Sequence, residues 1–522
     1  MATTILTGEP YALAGKRLAF TSWYHVRVGG FAWIDAAGDN VTVAGNAAPD
    51  EAAFVPKDRP SGIRLRAEGA RACRVPIIEP DPAGEADVHV GTILQRGSSY
   101  QAWGTCRLHG GQTRPAYFES TDGVTWTRPR LGVVEHRGSR DNNYTEEFGG
   151  SVFFDPAGAP EERYKAIEEG YITQEQLDAF LGQRPGDFDP QAIRAELKEG
   201  DLWWRGSNIC AVVGWTSPDG FRWRRLEMPL AVIHSDTRIV CHYDTALRKY
   251  VGYFREWYTG PRAEGIPNPD PLPWKRAGRR AISRAETDDF RRFPMPATVL
   301  IPRYDMHPAD QLYTNCRTAI PHAPDHHLMF PAVYVTADDT TYIDLASSHD
   351  GRIWNFVPGA PLLETGTFGA WNGGCVFAFE ELLELAGGDF ALPYIGHNVP
   401  HKYSRGRLAS RSAYALWPKG RLVGIEAPER GEFSTVAVVA PGRRLYLNAV
   451  TKRAGHVKVA ISRLDGSFVD GRNFADAVPL VGDLFRAPVT WRGHDDLGVA
   501  EGEPIIVRFL MERAKIYYLD FA

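Results

Sequence analysis

Ser120-Thr121-Asp122-Gly123-Val124-Thr125-Trp126 is a phrase that this chain repeats. It returns as Ser217-Pro218-Asp219-Gly220-Phe221-Arg222-Trp223 and as Ser348-His349-Asp350-Gly351-Arg352-Ile353-Trp354, with a degenerate copy at Thr287-Asp288-Asp289-Phe290-Arg291-Arg292-Phe293. In chain order the copies stand 97, 70 and 61 residues apart, and each follows an apolar, strand-like run. Asp-Gly between two such runs supplies the positive φ of a tight turn, and a Ser or Thr two residues earlier can bond the turn backbone. The closing Trp anchors the next strand between neighbouring sheets. One copy would make a hairpin, whereas four at this spacing predict radial repetition, a β-propeller.

Counting strands outward from these turns predicts five blades. The first takes residues 88–95, 100–106, 116–119 and 126–129; the second takes 149–154, 164–168, 209–216 and the strand at Trp223. The third takes 237–243, 250–254, 281–284 and 297–301, and the fourth 312–320, 327–334, 342–347 and 354–358. The fifth takes 371–379, 383–395, 412–417 and 422–425, without an Asp-Gly turn. Residues 172–200 read as two short helices, the first capped by Thr173, the second opened by Asp189-Pro190 and closed by Gly200. The Pro-rich stretch 260–279 is too long for a hairpin loop; it is either a rim loop that shapes a pocket or a surface excursion. From about Gly431 an even alternation predicts a β-sandwich. The expected organisation is all-β: an N-terminal β extension (1–80), a five-bladed propeller (81–430) and a C-terminal sandwich (431–522).

Composition narrows the functional classes. A chain of 522 residues exceeds one ordinary core. The formal charge of −5 gives no basic excess to neutralise phosphates, so nucleic acid is not an expected partner. The six cysteines show no CxxC or metal-ligand spacing and read as buried thiols. No apolar run approaches 18 residues, and residues 1–10 lack the basic and apolar regions of a signal peptide. An intracellular protein off the membrane is expected. No Gly-x-Ser-x-Gly, P-loop or Rossmann signature is present, and no cofactor or metal is expected.

In a propeller the innermost strands line the axis, so residues at their starts share one funnel. Those starts carry Glu85-Ala86-Asp87, Glu146-Glu147, Ser235-Asp236, then Asp310 followed by Tyr313, Asn315 and Arg317, and finally Trp371-Asn372. Acids thus converge from four blades. Facing carboxylates suit glycoside cleavage, in which one is held protonated and the other stays ionised. Isolated acids at strand ends are commonly turn or surface residues, and Asp-Gly aspartates such as Asp122 are structural. His322, His326, His327, His397 and His401 cluster on late connections; ordinary hydrogen bonding suits them better than a metal, and His397 is the best substrate contact.

The propeller followed by Gly482-Asp483-Leu484, Val489-Thr490-Trp491, Arg508-Phe509 and Tyr517-Tyr518 resembles glycoside hydrolase family 32, the invertase-like fructosidases, and their relatives in families 43 and 68. The family motifs Trp-Met-Asn-Asp-Pro-Asn-Gly, Arg-Asp-Pro and Glu-Cys-Pro do not occur, which makes this a divergent relative; Asp155-Pro156 falls after its strand. The resemblance implies catalytic roles for Asp87, Glu147 and Asp236. Substrate contacts are expected from Glu146, Asp310, Tyr313, Asn315, Arg317, Trp371, Asn372 and His397. An oligosaccharide or small glycoside, such as a fructoside or arabinoside cleaved from its end, is the implied substrate. The alternatives are a carbohydrate-binding propeller without turnover, and a lyase on acidic sugars using Tyr313 and Arg317.

Overall fold

The computed structural model describes residues 9–28, 60–184, 208–258, 278–359, 361–403 and 407–522, with Trp33–Ile34, Asn40–Val41, Gly186, Phe188 and Trp204–Arg205. Strands dominate, and one α-helix, Gln174–Gln183, stands among the described residues. Thr173 caps that helix through a reciprocal capping box with Gln176, as the sequence leads one to expect. The second predicted helix and most of the Pro-rich stretch lie outside the described residues. No described helix is long and apolar enough to cross a membrane.

Five antiparallel sheets follow one another along the chain. They open on Glu85–Arg96, Ser151–Phe154, Val240–Asp244, Arg317–Ile320 and Cys375–Ala378 respectively. Hydrogen bonds join each sheet to the next and the last to the first. Val152 N donates to Thr92 Oγ1 at 3.1 Å, Ser151 Oγ to the Ile239 carbonyl at 2.5 Å, and Asn315 Nδ2 to the Arg238 carbonyl at 3.0 Å. Leu382 N then donates to Thr318 Oγ1 at 3.0 Å, and Val90 N to Ser412 Oγ at 3.0 Å, closing the circuit.

The Asp-Gly turns lock neighbouring sheets together. In each clean copy the Ser hydroxyl accepts the Gly N–H at 2.9 Å, while the Asp carboxylate accepts two backbone N–H groups beyond the turn. The Gly carbonyl is then a socket for an aromatic donor of the preceding sheet. Trp103 Nε1 reaches Gly220 O at 2.8 Å, Tyr253 OH reaches Gly351 O at 2.9 Å, and Tyr414 OH reaches Gly123 O at 2.8 Å. Gly220 has φ +84°, and a Cβ there would lie 2.8 Å from Trp103 Cζ2, so shape and conformation both demand glycine. Trp223 and Trp354 are buried as anchors and bond the same carbonyls at 2.9 Å.

Three details differ from the sequence-based strand count. The fourth predicted blade is two sheets: in one, Ala332–Val335 stands between Gln311–Leu312 and Thr340–Ile343 and pairs with both, apart from the sheet that Arg317–Ile320 opens. Cys316, at φ +45°, breaks the first strand, and Pro331 interrupts the second, because it has no N–H to donate to a ladder. In the fifth sheet the outer strand is Arg71–Ala72, paired with Leu416 and Ala415, and not 422–425. Val423–Ser434 belongs instead to an eight-stranded sheet and runs unbroken across position 430.

That sheet is built on Pro504–Phe521, flanked by Leu445–Ser462 on one side and Val423–Ser434 on the other. The N-terminal strands Tyr11–Ala12, Arg17–Ala19 and Arg64–Ala67 hydrogen-bond into it. Its apolar face shares one core with the fourth and fifth sheets, where Leu328, Phe330, Leu392 and Trp417 meet Leu447, Phe509 and Leu519. Arg17, fully buried, pins the seam by pairing with Asp520 at 2.7 Å and Glu384 at 2.8 Å. Both carboxylates are needed, since a buried guanidinium left unpaired is strongly destabilising.

Candidate functional site

A cavity of about 370 Å³ opens beside the bonds that close the ring of sheets, lined by Gly150, Glu168, Glu169, Asp236, Thr237, Arg238 and Ile239. Arg238 anchors one wall. Its Nε donates to Glu380 Oε2 at 2.8 Å and its Nη2 to the Gly91 carbonyl at 2.7 Å and Thr92 Oγ1 at 2.8 Å, so it ties the first, third and fifth sheets together. A larger cavity of about 470 Å³ lies between Ala297–Leu300 and Asn355–Phe356, but Arg303 is its one strongly charged lining group, already paired with Asp305 and Asp344. Most of the titratable groups gather at the first.

Glu168 and Glu169 come from Tyr164–Ile172, the second strand of the second sheet. Adjacent strand residues point to opposite sides. Glu168 leans over Gly149, where a Cβ would sit 1.9 Å from Oε1, and the neighbouring Gly150 has φ +80°. The glycine pair is therefore what makes room for the carboxyl. Burial raises the Glu168 pKa to about 7, aided by the nearby Glu169 and opposed by Arg225 and Arg238. Glu169 turns the other way, accepting from Ser235 N at 2.6 Å, with His234 Nδ1 at 3.0 Å.

Asp236 stands on the lead-in to Val240–Asp244, paired with Arg255 at 3.1 Å and 3.9 Å from His234 Nε2. Arg255 is only 1% exposed, and its Nε and Nη1 have no hydrogen-bond partner. Arg280 shares Trp257 with it, the two guanidinium carbons lying 4.5 and 5.4 Å from that ring. Burial and the Arg255 charge both lower the Arg280 pKa. Beyond Arg280 stands Tyr313, whose hydroxyl lies 2.8 Å from His401 Nε2.

Of the sequence-derived catalytic trio, Asp236 lines the cavity and the other two do not. Asp87 is paired with Arg107 across its strand pair and lies 3.4 Å from His89 Nε2. Glu147 is exposed, because the inner strand begins only at Ser151, beyond the glycine pair. Glu146 is also exposed and accepts from Trp223 N at 2.8 Å, so it braces a turn. Asn315 and Arg317 do not line the cavity: Asn315 bonds the Arg238 and Tyr253 carbonyls, and Arg317 packs against His327. Asp310 is raised by burial, and its carbonyl accepts from Arg279. Trp371 packs on Tyr394 beneath Arg411, Asn372 is buried, and His397 Nδ1 lies 2.7 Å from Ser410 Oγ. Asp155 is buried against Lys165 at 2.6 Å and is structural.

The residues missed by sequence reasoning are Glu168, Glu169, Arg238, Arg255 and Arg280. Two adjacent acids, Glu168-Glu169, inside a largely buried strand were the available signal, since such a pair is costly to bury without a purpose.

No family model matches the chain, and no curated protein matches it. Among solved structures, one described as a glycoside hydrolase is similar at 11% identity, covering 67% of this chain and 92% of its own, with a TM-score of 0.37. The alpha-L-arabinofuranosidase of Podospora anserina, solved with cellotriose, is similar at 11% identity over 68% and 98% of the two chains, TM-score 0.37. The beta-1,2-mannobiose phosphorylase of Listeria innocua is similar at 12% identity over 67% and 96%, TM-score 0.38. These are distant likenesses.

Proposed function

We propose that this chain is a glycoside-cleaving enzyme of the invertase-like kind, a five-bladed propeller with a C-terminal β-sandwich and an N-terminal β extension. The observation that carries the reading is the pairing of Glu168, held near 7, with Asp236 around one open cavity. That volume falls in the range of small-molecule sites, about 300–1,000 Å³. A carboxyl protonated near neutral pH can donate to the leaving glycosidic oxygen while a second, kept ionised by a cation, acts as nucleophile or base. Glu168 takes the donor role and Asp236, paired with Arg255 at 3.1 Å, that of nucleophile or base. Glu168 thereby fills the place in the second sheet that the sequence assigns to Glu147. Asp87, with His89, is proposed as a third carboxylate toward the rim. The substrate is an oligosaccharide or small furanoside, such as a fructoside or arabinoside, attacked from its end. An intracellular location goes with this reading.

A panel of aryl glycosides and oligosaccharides tests it. Turnover of at least one is expected, with Glu168→Gln and Asp236→Asn each lowering kcat by about 10²–10⁴-fold, the range for a positioned acid or base. Binding without turnover across the panel would instead indicate a carbohydrate-binding propeller. A second reading is favoured by the unpartnered donors of Arg255 and by Arg280 beside Tyr313 and His401. Two guanidiniums suit the carboxylate of an acidic sugar, with Tyr313 or His401 as the base of a lyase. An unsaturated product absorbing in the near ultraviolet would mark that chemistry.

A further inference from the structure

Glu169 lines the cavity, Cys210 and His234 stand beside Glu169, and none of the three takes part in the proton transfers above. One ligand atom of each lies within 4.8 Å of the other two. The pairings Glu169↔Val212 and Tyr171↔Cys210 put Glu169 and Cys210 on one face of adjacent strands, and His234 arrives from the lead-in to the third sheet. His234 is bracketed: Nδ1 lies 3.0 Å from Glu169 Oε2, and Nε2 lies 3.9 Å from Asp236 Oδ2. A metal-binding imidazole is typically held in this way, one nitrogen turned to the ligand set and the other ring N–H aimed at a carboxylate.

We propose that Glu169, Cys210 and His234 form a binding site for a thiophilic divalent cation such as Zn²⁺, with Asp236 orienting the histidine. The donor set is right for that ion, which takes cysteine sulfur, histidine nitrogen and carboxylate oxygen together. It also balances charge, because one carboxylate and one thiolate neutralise a dication. Three protein ligands leave a fourth position for water or substrate. Asn208–Ser217 is a central strand of its sheet, so the ligands need little backbone movement.

The test uses the full-length, tag-free protein stripped with a chelator and titrated with Zn²⁺ and then with Co²⁺. One equivalent is expected to bind and to raise the melting temperature, with Co²⁺ giving a thiolate-to-metal charge-transfer band in the near ultraviolet. Cys210→Ser should abolish the band while Cys241→Ser, at another buried thiol, keeps it. Asp236→Asn should weaken binding by about 10–100-fold, the usual effect of losing such an orienting partner. If Cys210→Ser fails to fold, Glu169→Gln, which keeps the side chain's shape, is expected to weaken Zn²⁺ binding in its place. Absence of stoichiometric binding, or a band that survives Cys210→Ser, would overturn the proposal. The readout is the metal alone, so it stands or falls separately from glycoside cleavage.

Discussion

Carboxyl groups serve this molecule in two opposite ways, at the Asp-Gly turns and at the cavity. Asp122 accepts the N–H groups of Val124 and Thr125 and a hydroxyl from Ser120, and these donors hold its pKa down at about 2. Asp219 and Asp350 are likewise lowered by backbone N–H donors against the opposing effect of burial. Glu168 is half-buried, and that burial raises it to about 7. Chemically similar groups therefore differ by several pH units because one is surrounded by donors and the other is partly desolvated beside a second acid. The turns spend their carboxylates on order, which leaves them no proton to give. The cavity keeps one carboxyl under-solvated, which costs stability and supplies a donor near neutral pH.

The sharpest break between the two regions should come from the turn anchors. Trp354 is buried, T-shaped against Tyr253, and bonded to Gly351 O. Trp354→Ala is expected to cost about 3–5 kcal/mol in chemical denaturation, with turnover per folded molecule unchanged. A stable variant that had lost turnover would move this tryptophan from scaffold to site. Asp350→Ala, which removes the acceptor of Arg352 N and Ile353 N, is expected to cost less, about 1–3 kcal/mol for donors left short of a partner.

These turns were legible in the sequence because Ser-x-Asp-Gly-x-x-Trp is a local device, complete within seven residues. The alternating C-terminal strands were legible for the same reason. The closing strand Arg71–Ala72 was not, since it pairs with residues more than 300 positions away and carries no periodicity in two residues. At the site, Asp236 was found because it leads into an inner strand. Glu168 was missed because its access to the cavity depends on Gly149 and Gly150 of a neighbouring strand, a matter of register and not of local pattern. Arg238, Thr92 and Glu380 meet only once the ring is closed.

A smaller effect sharpens the comparison through pH. A carboxyl whose folded pKa is raised binds its proton more tightly when folded, so its contribution is full below the ordinary value near 4.3 and fades as pH rises through about 7. Asp122 has the opposite sign: its contribution is present above the ordinary value near 3.9 and is lost as pH falls toward about 2. Wild-type protein should therefore lose melting temperature relative to Glu168→Gln between about pH 4.3 and 7, whereas its advantage over Asp122→Asn should be present at neutral pH and disappear as pH falls from about 3.9 toward about 2. Parallel stability curves for wild type and Glu168→Gln would contradict the assignment.

The most direct measurement is a carbon-13 titration of the side-chain carboxyls of glutamate-labelled protein, with Glu168→Gln identifying the signal of Glu168. A midpoint near 7 for Glu168 is the predicted result. A midpoint in the ordinary range near 4.3 would leave the cavity without its proton donor at neutral pH and contradict the account.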